Sequence, residues 1–176
     1  MCWIFFMKYK SEVVGIFWRV KKNIENQSRC RIQVIRSNNG KEYASLEFKL
    51  YCEDVGIEHQ LTASYTPEQN GVSERKNGYI MEMVRCMLYL KDLPKMFWAK
   101  AANTTVFLHN RLPIKFLEEN TSFEAWYNYK PSLSFLKKIC SICFVHVPQI
   151  KRDKLDKKVT PGIFIGYIFV FKAYKV

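Results

Sequence analysis

The chain has 176 residues, of which 48% are hydrophobic and 15% aromatic, so it has enough apolar side chains to bury a core and is not disordered throughout. Its formal net charge is +12, and the excess is uneven, since residues 129–176 hold ten Lys/Arg against two Asp/Glu. No apolar run approaches the roughly 20 residues that cross a bilayer, and "MCWIFFM" is too short and uncharged for an export signal. A membrane or secreted protein is therefore not expected. The expected location is intracellular, nuclear or cytoplasmic, with the six cysteines kept as reduced thiols.

In chain order, "CWIFFMKY" reads as a strand. From Ser11 to Gln27, apolar residues at Val13, Phe17, Val20 and Ile24 give the period of a helix with one buried face. "RIQVI" (31–35) is a predicted strand, and "NNGK" (38–41) a turn, because Asn and Gly tolerate positive φ. Ser45 is a predicted N-cap for a short helix ending near Gly56. "IEHQL" (57–61) is a strand and "TASYTPEQNG" (62–71) a polar loop. A long helix is expected from Val72 to Leu90, with Ile80, Met83, Val84, Met87 and Leu88 on one face. Pro94 breaks it, and a second helix runs to Asn110. Thr121 and Glu124 form a capping box for a short helix, "TSFEAWY". Trp98 and Trp126 fit helix packing better than base stacking and are assigned to the core.

After Pro131 the pattern changes to short apolar runs, "ICFVHV" and "GIFIGYIFVF", separated by a charged loop. This divides the chain into 1–130 and a basic, β-rich 131–176. "CSIC" (Cys140, Cys143) with His146 has zinc-like spacing, but no second Cys pair follows, so these are read as structural thiols. The basic, nearly acid-free tail points to a polyanion, with nucleic acid first; a solvated basic surface is the alternative. Its densest part is Lys151, Arg152, Lys154, Lys157 and Lys158.

Thirty-five residues separate Asn38 from Glu74. "RSNNGKEY", "LTASYTPEQNGVSERKN", "NRLP", "FEAWYNYKPSLSFL" and "KLDKKVTPGIFIGY" follow one another in an order and spacing that resembles the integrase catalytic core of copia-type retrotransposons. The resemblance covers nearly the whole chain. It implies a ribonuclease-H-like α/β fold, a mixed sheet with helices on its faces, followed by a small β-rich C-terminal extension. It also places the first strands before Cys2.

The same resemblance implies a chemistry. Such cores join DNA by Mg²⁺-dependent strand transfer, with three acids holding two metal ions that clamp the attacking and leaving oxygens. Mg²⁺ demands oxygen ligands, chiefly carboxylates, in octahedral geometry. The second acid's place is Asn38, a neutral amide, and the third is Glu74. The first acid is expected on a strand before Cys2. Of the triad only Glu74 remains, as a vestigial metal ligand, and Mg²⁺ is a family expectation that this chain is not expected to meet. Gly78 stands where relatives often carry a basic residue, and Cys140 takes a glycine's place.

The function expected on these grounds is that of an integrase core fragment with the family role of nucleic-acid binding and DNA integration, itself catalytically inactive. A non-catalytic nucleic-acid-binding or dimerisation module, or a relic without function, are the alternatives. Arg75, Lys76 and the five basic residues of 151–158 are the candidate contacts to non-specific DNA. A homo-oligomer is allowed, and neither a membrane nor a small-molecule substrate is expected.

Overall fold

The computed structural model describes residues 1–62, 67–90, 92–117, 120–168 and 173–176, leaving aside the side chains of 67–70 and 116. The chain divides into two units, Phe5–Gly78 and Met1–Ile4 with Tyr79–Val176.

In Phe5–Gly78, a single 3-10 turn leads into helix α1 (Val13–Ser28). Its apolar stripe faces inward as the period requires: Val13 and Val14 are buried and Phe17 packs on the core. Lys21 pairs with Glu25 at 2.8 Å, and the second Glu25 oxygen accepts from the Ile32 N–H at 2.9 Å. The strand predicted from Arg31 begins its pairing only at Val34, because Gly56, which the register would put opposite Ile32, has a φ of 69° and is not extended. Strand β1 (Val34–Ser37) pairs parallel with β2 (Glu58–Leu61), Val34 opposite Glu58 and Ser37 opposite Leu61.

Parallel neighbours need a crossover, supplied here by α2 (Leu46–Asp54). Ser45 caps it as predicted, its Oγ accepting from the Phe48 N–H at 3.3 Å. Past its end Gly56 takes a φ of 69°, a conformation that favours glycine. Val14, Phe48, Cys52 and Ile57 form the core of this unit, with Phe17, Trp18, Ile35 and Tyr51 against it. Phe48 is fully buried, and Phe17, Tyr43 and His59 all meet its ring edge-on.

Helix α3 (Pro67–Tyr89) starts five residues before the predicted Val72. Pro67 is the reason: its fixed φ and missing N–H suit the first helical position. Of the predicted loop, 63–66 lie outside the described residues, and 67–71 are helix rather than loop.

In the other unit, Ile80, Val84 and Met87 of α3 pack against Ala101, Ala102 and Val106 of α4 (Trp98–His109). Trp98 is not in this core; at the start of α4 it is 46% exposed. Trp126 is half-buried, edge-on to Trp3 at 5.0 Å. The capping box of α5 (Ser122–Tyr127) is complete, with Glu124 N–H to Thr121 Oγ1 at 3.0 Å and Thr121 N–H to Glu124 Oε2 at 2.8 Å.

Two antiparallel hairpins follow, β3 (Ile142–His146) with β4 (Val159–Ile163) and β5 (Gly166–Ile168) with β6 (Ala173–Lys175). Phe107 of α4, Phe164 and Tyr167 make their core. Gly166 lets β5 lie against α4, because a Cβ there would run into Thr104, whose hydroxyl donates to the Ile165 carbonyl at 3.2 Å. Cys140 is buried with its Sγ donating to the Met87 carbonyl, so the "CSIC" pair is built into packing.

The strand predicted over Cys2–Tyr9 does not form, and residues 1–7 have no regular structure. A strand needs a neighbour's backbone groups. Cys2 instead gives its N–H and C=O to the Asn110 side chain.

Candidate functional site

The candidate residues fall in both units. Asn38, Glu74, Arg75 and Lys76 belong to Phe5–Gly78, and the basic cluster 151–158 belongs to the other.

Asn38 directly follows the last residue of β1. Its Oδ1 accepts from the Gly40 N–H at 3.2 Å, an Asx turn, and the Gly40 carbonyl accepts from Tyr43 and Ala44. The amide thus works as a turn residue. Beside it Ser37 Oγ lies 2.8 Å from His59 Nε2 on β2, and burial holds the His59 imidazole below its ordinary pKa.

One acid near this turn escaped the sequence reading. The Glu42 carboxylate folds back over Gly40, its side chain only 15% exposed, with Lys10 Nζ at 3.9 Å. Tyr43 next to it has a raised pKa, first from burial and then from the Glu42 charge. The signal was the "NNGKE" spacing itself, which puts a carboxylate within reach of a glycine that leaves room for it.

Glu74 sits on α3, exposed. The Arg75 guanidinium turns back along the same helix, 3.3 Å from where a Cβ on Gly71 would lie. Lys76 is half-buried, and Gly78 is exposed with open space around it. These donors do not fit a pair of Mg²⁺ ions. The amide at the strand end is engaged by Gly40, the nearby Glu42 carboxylate faces a lysine, and among the described residues no three His, Cys, Asp or Glu side chains cluster to hold a metal.

The loop joining β3 to β4 carries the basic cluster. Its neck is closed by Val147 N–H to the Lys158 carbonyl at 2.9 Å. A 3-10 turn covers Gln149–Lys151, and a second turn is closed by Asp153 N–H to Asp156 Oδ2 at 2.8 Å. Arg152 is half-buried, and its Nε donates to the Val147 carbonyl at 3.2 Å, so it braces the loop from inside. Lys151, Lys154, Lys157 and Lys158 are exposed. Between them Ile150 and Leu155 project fully into solvent, at 100% and 99% exposure. Neither aliphatic was singled out from the sequence, where charge dominated the stretch.

Comparison with known proteins places these features in context. A family model described as a retroviral polymerase SH3-like domain matches residues 141–176, the part that holds the two hairpins. The retrovirus-related Pol polyprotein from transposon TNT 1-94 of Nicotiana tabacum is 41% identical over 165 residues, which is 94% of this chain and 12% of that polyprotein. Among solved structures, a simian T-cell lymphotropic virus intasome in complex with the PP2A regulatory subunit B56 gamma is similar at a TM-score of 0.55 and 18% identity, over 90% of this chain and 54% of that one. The HTLV-2 integrase catalytic core domain in complex with magnesium is similar at a TM-score of 0.50 and 21% identity, over 68% of this chain and 71% of that one. At such identities the likeness shows the fold: the chain has the ribonuclease-H-like architecture of integrase cores. It spans 12% of the length of the transposon polyprotein it matches. No helix among the described residues is long and apolar enough to cross a membrane.

Proposed function

Because the chain belongs to the retrovirus-related Pol polyproteins of copia-type transposons, we propose that it is an integrase-core segment that binds DNA without regard to sequence and does not itself carry out Mg²⁺-dependent strand transfer. The observation that carries this reading is the turn at Asn38. An amide whose oxygen already accepts from Gly40 stands where the family keeps an acid, so two divalent ions lack the charge to be held there. The HTLV-2 core is described in complex with magnesium; this chain's donor set does not support the same occupancy.

Binding needs none of that chemistry. Lys and Arg that neutralise phosphates release condensed counterions, which makes the interaction strong at low salt and indifferent to sequence. Lys151, Lys154, Lys157 and Lys158 stand exposed on a braced loop, with Arg152 as its strut and Arg75 and Lys76 as further candidates on α3.

The test has two arms on the full chain. In Mg²⁺ or Mn²⁺, strand-transfer product is expected at background for the wild type and for Asn38→Asp. Product above background that disappears in Glu74→Ala refutes the inactive reading. In the second arm, duplex affinity is measured against salt. Four phosphate contacts give a slope of log K on log[salt] of about −3.6 on duplex DNA. Replacing the four lysines by Gln is expected to flatten it, and an unchanged slope refutes the loop as the binding surface.

A homo-dimerisation module is the second reading. It is favoured by the exposure of Phe5, Phe6 and Met7, a contiguous apolar segment of a kind that marks protein contacts. Light scattering over a range of concentrations tests it, and a monomer throughout refutes it.

A further inference from the structure

The loop between β3 and β4 presents a pattern that charge alone does not explain. Ile150 and Leu155 are the most exposed large hydrophobic side chains among the described residues, the next being Met96 at 78%. Single exposed aliphatics are ordinary. Two that are wholly exposed, each beside a lysine in a hydrogen-bonded turn, form an arrangement. Ile150 precedes Lys151 in the turn tied by Lys151 N–H to the Pro148 carbonyl and Arg152 N–H to the Gln149 carbonyl. Leu155 follows Lys154 in the turn tied by Asp153 N–H to Asp156 Oδ2 and Asp156 N–H to the Asp153 carbonyl. With the neck closed and Arg152 bonded inward to Val147, the two side chains are held outward.

We propose that Ile150 and Leu155 are wedges, which enter between neighbouring base pairs of the duplex that the adjacent lysines hold, and bend it. The inference rests on the DNA-binding reading above. Proteins that kink a duplex insert apolar side chains such as Ile and Leu at a base step, and the bend lets more protein surface meet the strands. The loop supplies both requirements at one place. Lys151 and Lys154 supply the charge complementary to the flanking phosphates, and among the described residues the two aliphatics cover nothing. The two Asp side chains do not spoil the charge match around the wedges, because Asp156 is bonded within its turn and the same stretch carries four exposed lysines.

The two contributions separate experimentally. Phosphate contacts set the salt slope, whereas apolar insertion adds affinity that salt leaves alone. The full chain is compared with Ile150→Ser/Leu155→Ser and with the variant carrying Gln at the four lysines. The probe is a short duplex with a fluorophore at each end, read for anisotropy and for energy transfer between the ends. The Ser pair is expected to bind about tenfold more weakly at every salt concentration, with an unchanged slope and without the rise in end-to-end transfer. Its thermal midpoint should equal that of the wild type, because both side chains lie in solvent. Wild-type affinity and bending in the Ser pair overturn the wedge and leave the DNA-binding reading standing. Absence of duplex binding by the wild type overturns that reading and the wedge with it. Phosphatidylserine vesicles, compared with neutral ones, form the last arm. Retention on them that exceeds duplex binding and is lost in the Ser pair makes the loop a lipid-inserting device, and overturns the proposal.

Discussion

The side-chain amide of Asn110 grips the backbone of Cys2 from both sides. The Cys2 N–H donates to Oδ1 at 2.8 Å, and Nδ2 donates to the Cys2 carbonyl at 2.7 Å. One side chain thus supplies the donor and acceptor that a neighbouring strand would have offered. Asn110 is 3% exposed, and its own carbonyl accepts from the Phe123 N–H at 2.9 Å, which ties the entry of α5 to the end of α4.

Asn110→Ala should therefore be destabilising. It removes two hydrogen bonds to partly buried Cys2 backbone groups, at about 1–3 kcal/mol for a buried group that loses its bond. A total near 2 kcal/mol lowers the thermal midpoint of a chain this size by roughly 4–8 °C. Asn110→Asp should cost at least as much, since a carboxylate cannot donate to the Cys2 carbonyl. Calorimetry of the three proteins checks this, and equal midpoints for the wild type and Asn110→Ala would show that the contact carries no stability.

Cys140 offers a test of backbone strain. It takes a φ of 60°, in a region that costs an L-residue about 1–2 kcal/mol and glycine nothing. It is also 2% exposed, in one core cluster with Val84 and Ala101, and its Sγ donates to the Met87 carbonyl. Cys140→Ala loses the sulfur and keeps the strain, whereas Cys140→Gly loses the sulfur and relieves it. The glycine variant should be the more stable of the two by about 1 kcal/mol, the reverse of the usual Ala–Gly order. Urea unfolding of both variants decides it, and Ala above Gly would be the contrary result.

Why some of this was legible in the sequence and some was not has a physical basis. The α1 stripe, the Ser45 cap and the Thr121–Glu124 box are local: each needs only residues within one or two turns, so spacing reveals them. The Cys140 strain was visible only through the resemblance, which puts a glycine at that place. Cys2–Tyr9 failed as a strand because strand formation depends on a partner far along the chain, and Asn110 lies 108 residues from Cys2. The start of α3 is not legible from polarity, because 67–71 are as polar as a loop while proline fits the first helical turn. At the candidate site, the turn role of Asn38 is legible from composition, because Asn and Gly favour turns. The bracing by Arg152 and the projection of Ile150 and Leu155 are three-dimensional facts that a run of charges concealed.

Stability should fall in acid in two windows. The Thr121 backbone N–H, and then its hydroxyl, hold the Glu124 carboxyl below its ordinary 4.5. Lys21, followed by the Ile32 N–H, does the same for Glu25. A carboxyl lowered in the folded state contributes stability that is present above the unfolded value, and it is lost as pH falls from about 4.5 through the folded value. His59 acts earlier. Burial lowers its pKa, so the unfolded chain takes up a proton below about 6.5 before the folded chain does, and stability declines from there. Urea midpoints measured from pH 8 to pH 3 should show both declines. Glu124→Gln, whose amide oxygen can still accept from Thr121, should flatten only the lower one; an unaltered acid limb would remove Glu124 from the account.

The last expectation concerns the metal, with binding as the readout in place of turnover. A site that holds Mg²⁺ in the folded chain alone raises stability by mass action, by about 2.7 kcal/mol at one hundred times the dissociation constant. For a chain of this length that is a rise in midpoint of roughly 5–11 °C. The wild type should show no rise with Mg²⁺, because Asn38 Oδ1 serves Gly40 and Glu42 faces Lys10. Asn38→Asp adds one negative charge, and its carboxylate can accept the same Gly40 N–H, so the turn should survive. Even so, two acids fall short of the three-acid set that clamps a metal pair, and no cluster of three such groups exists among the described residues. Asn38→Asp should therefore also show no rise. A gain of several degrees with Mg²⁺ in Asn38→Asp, abolished by adding Glu74→Ala, would show that the position still assembles a metal site and that its amide alone keeps it silent.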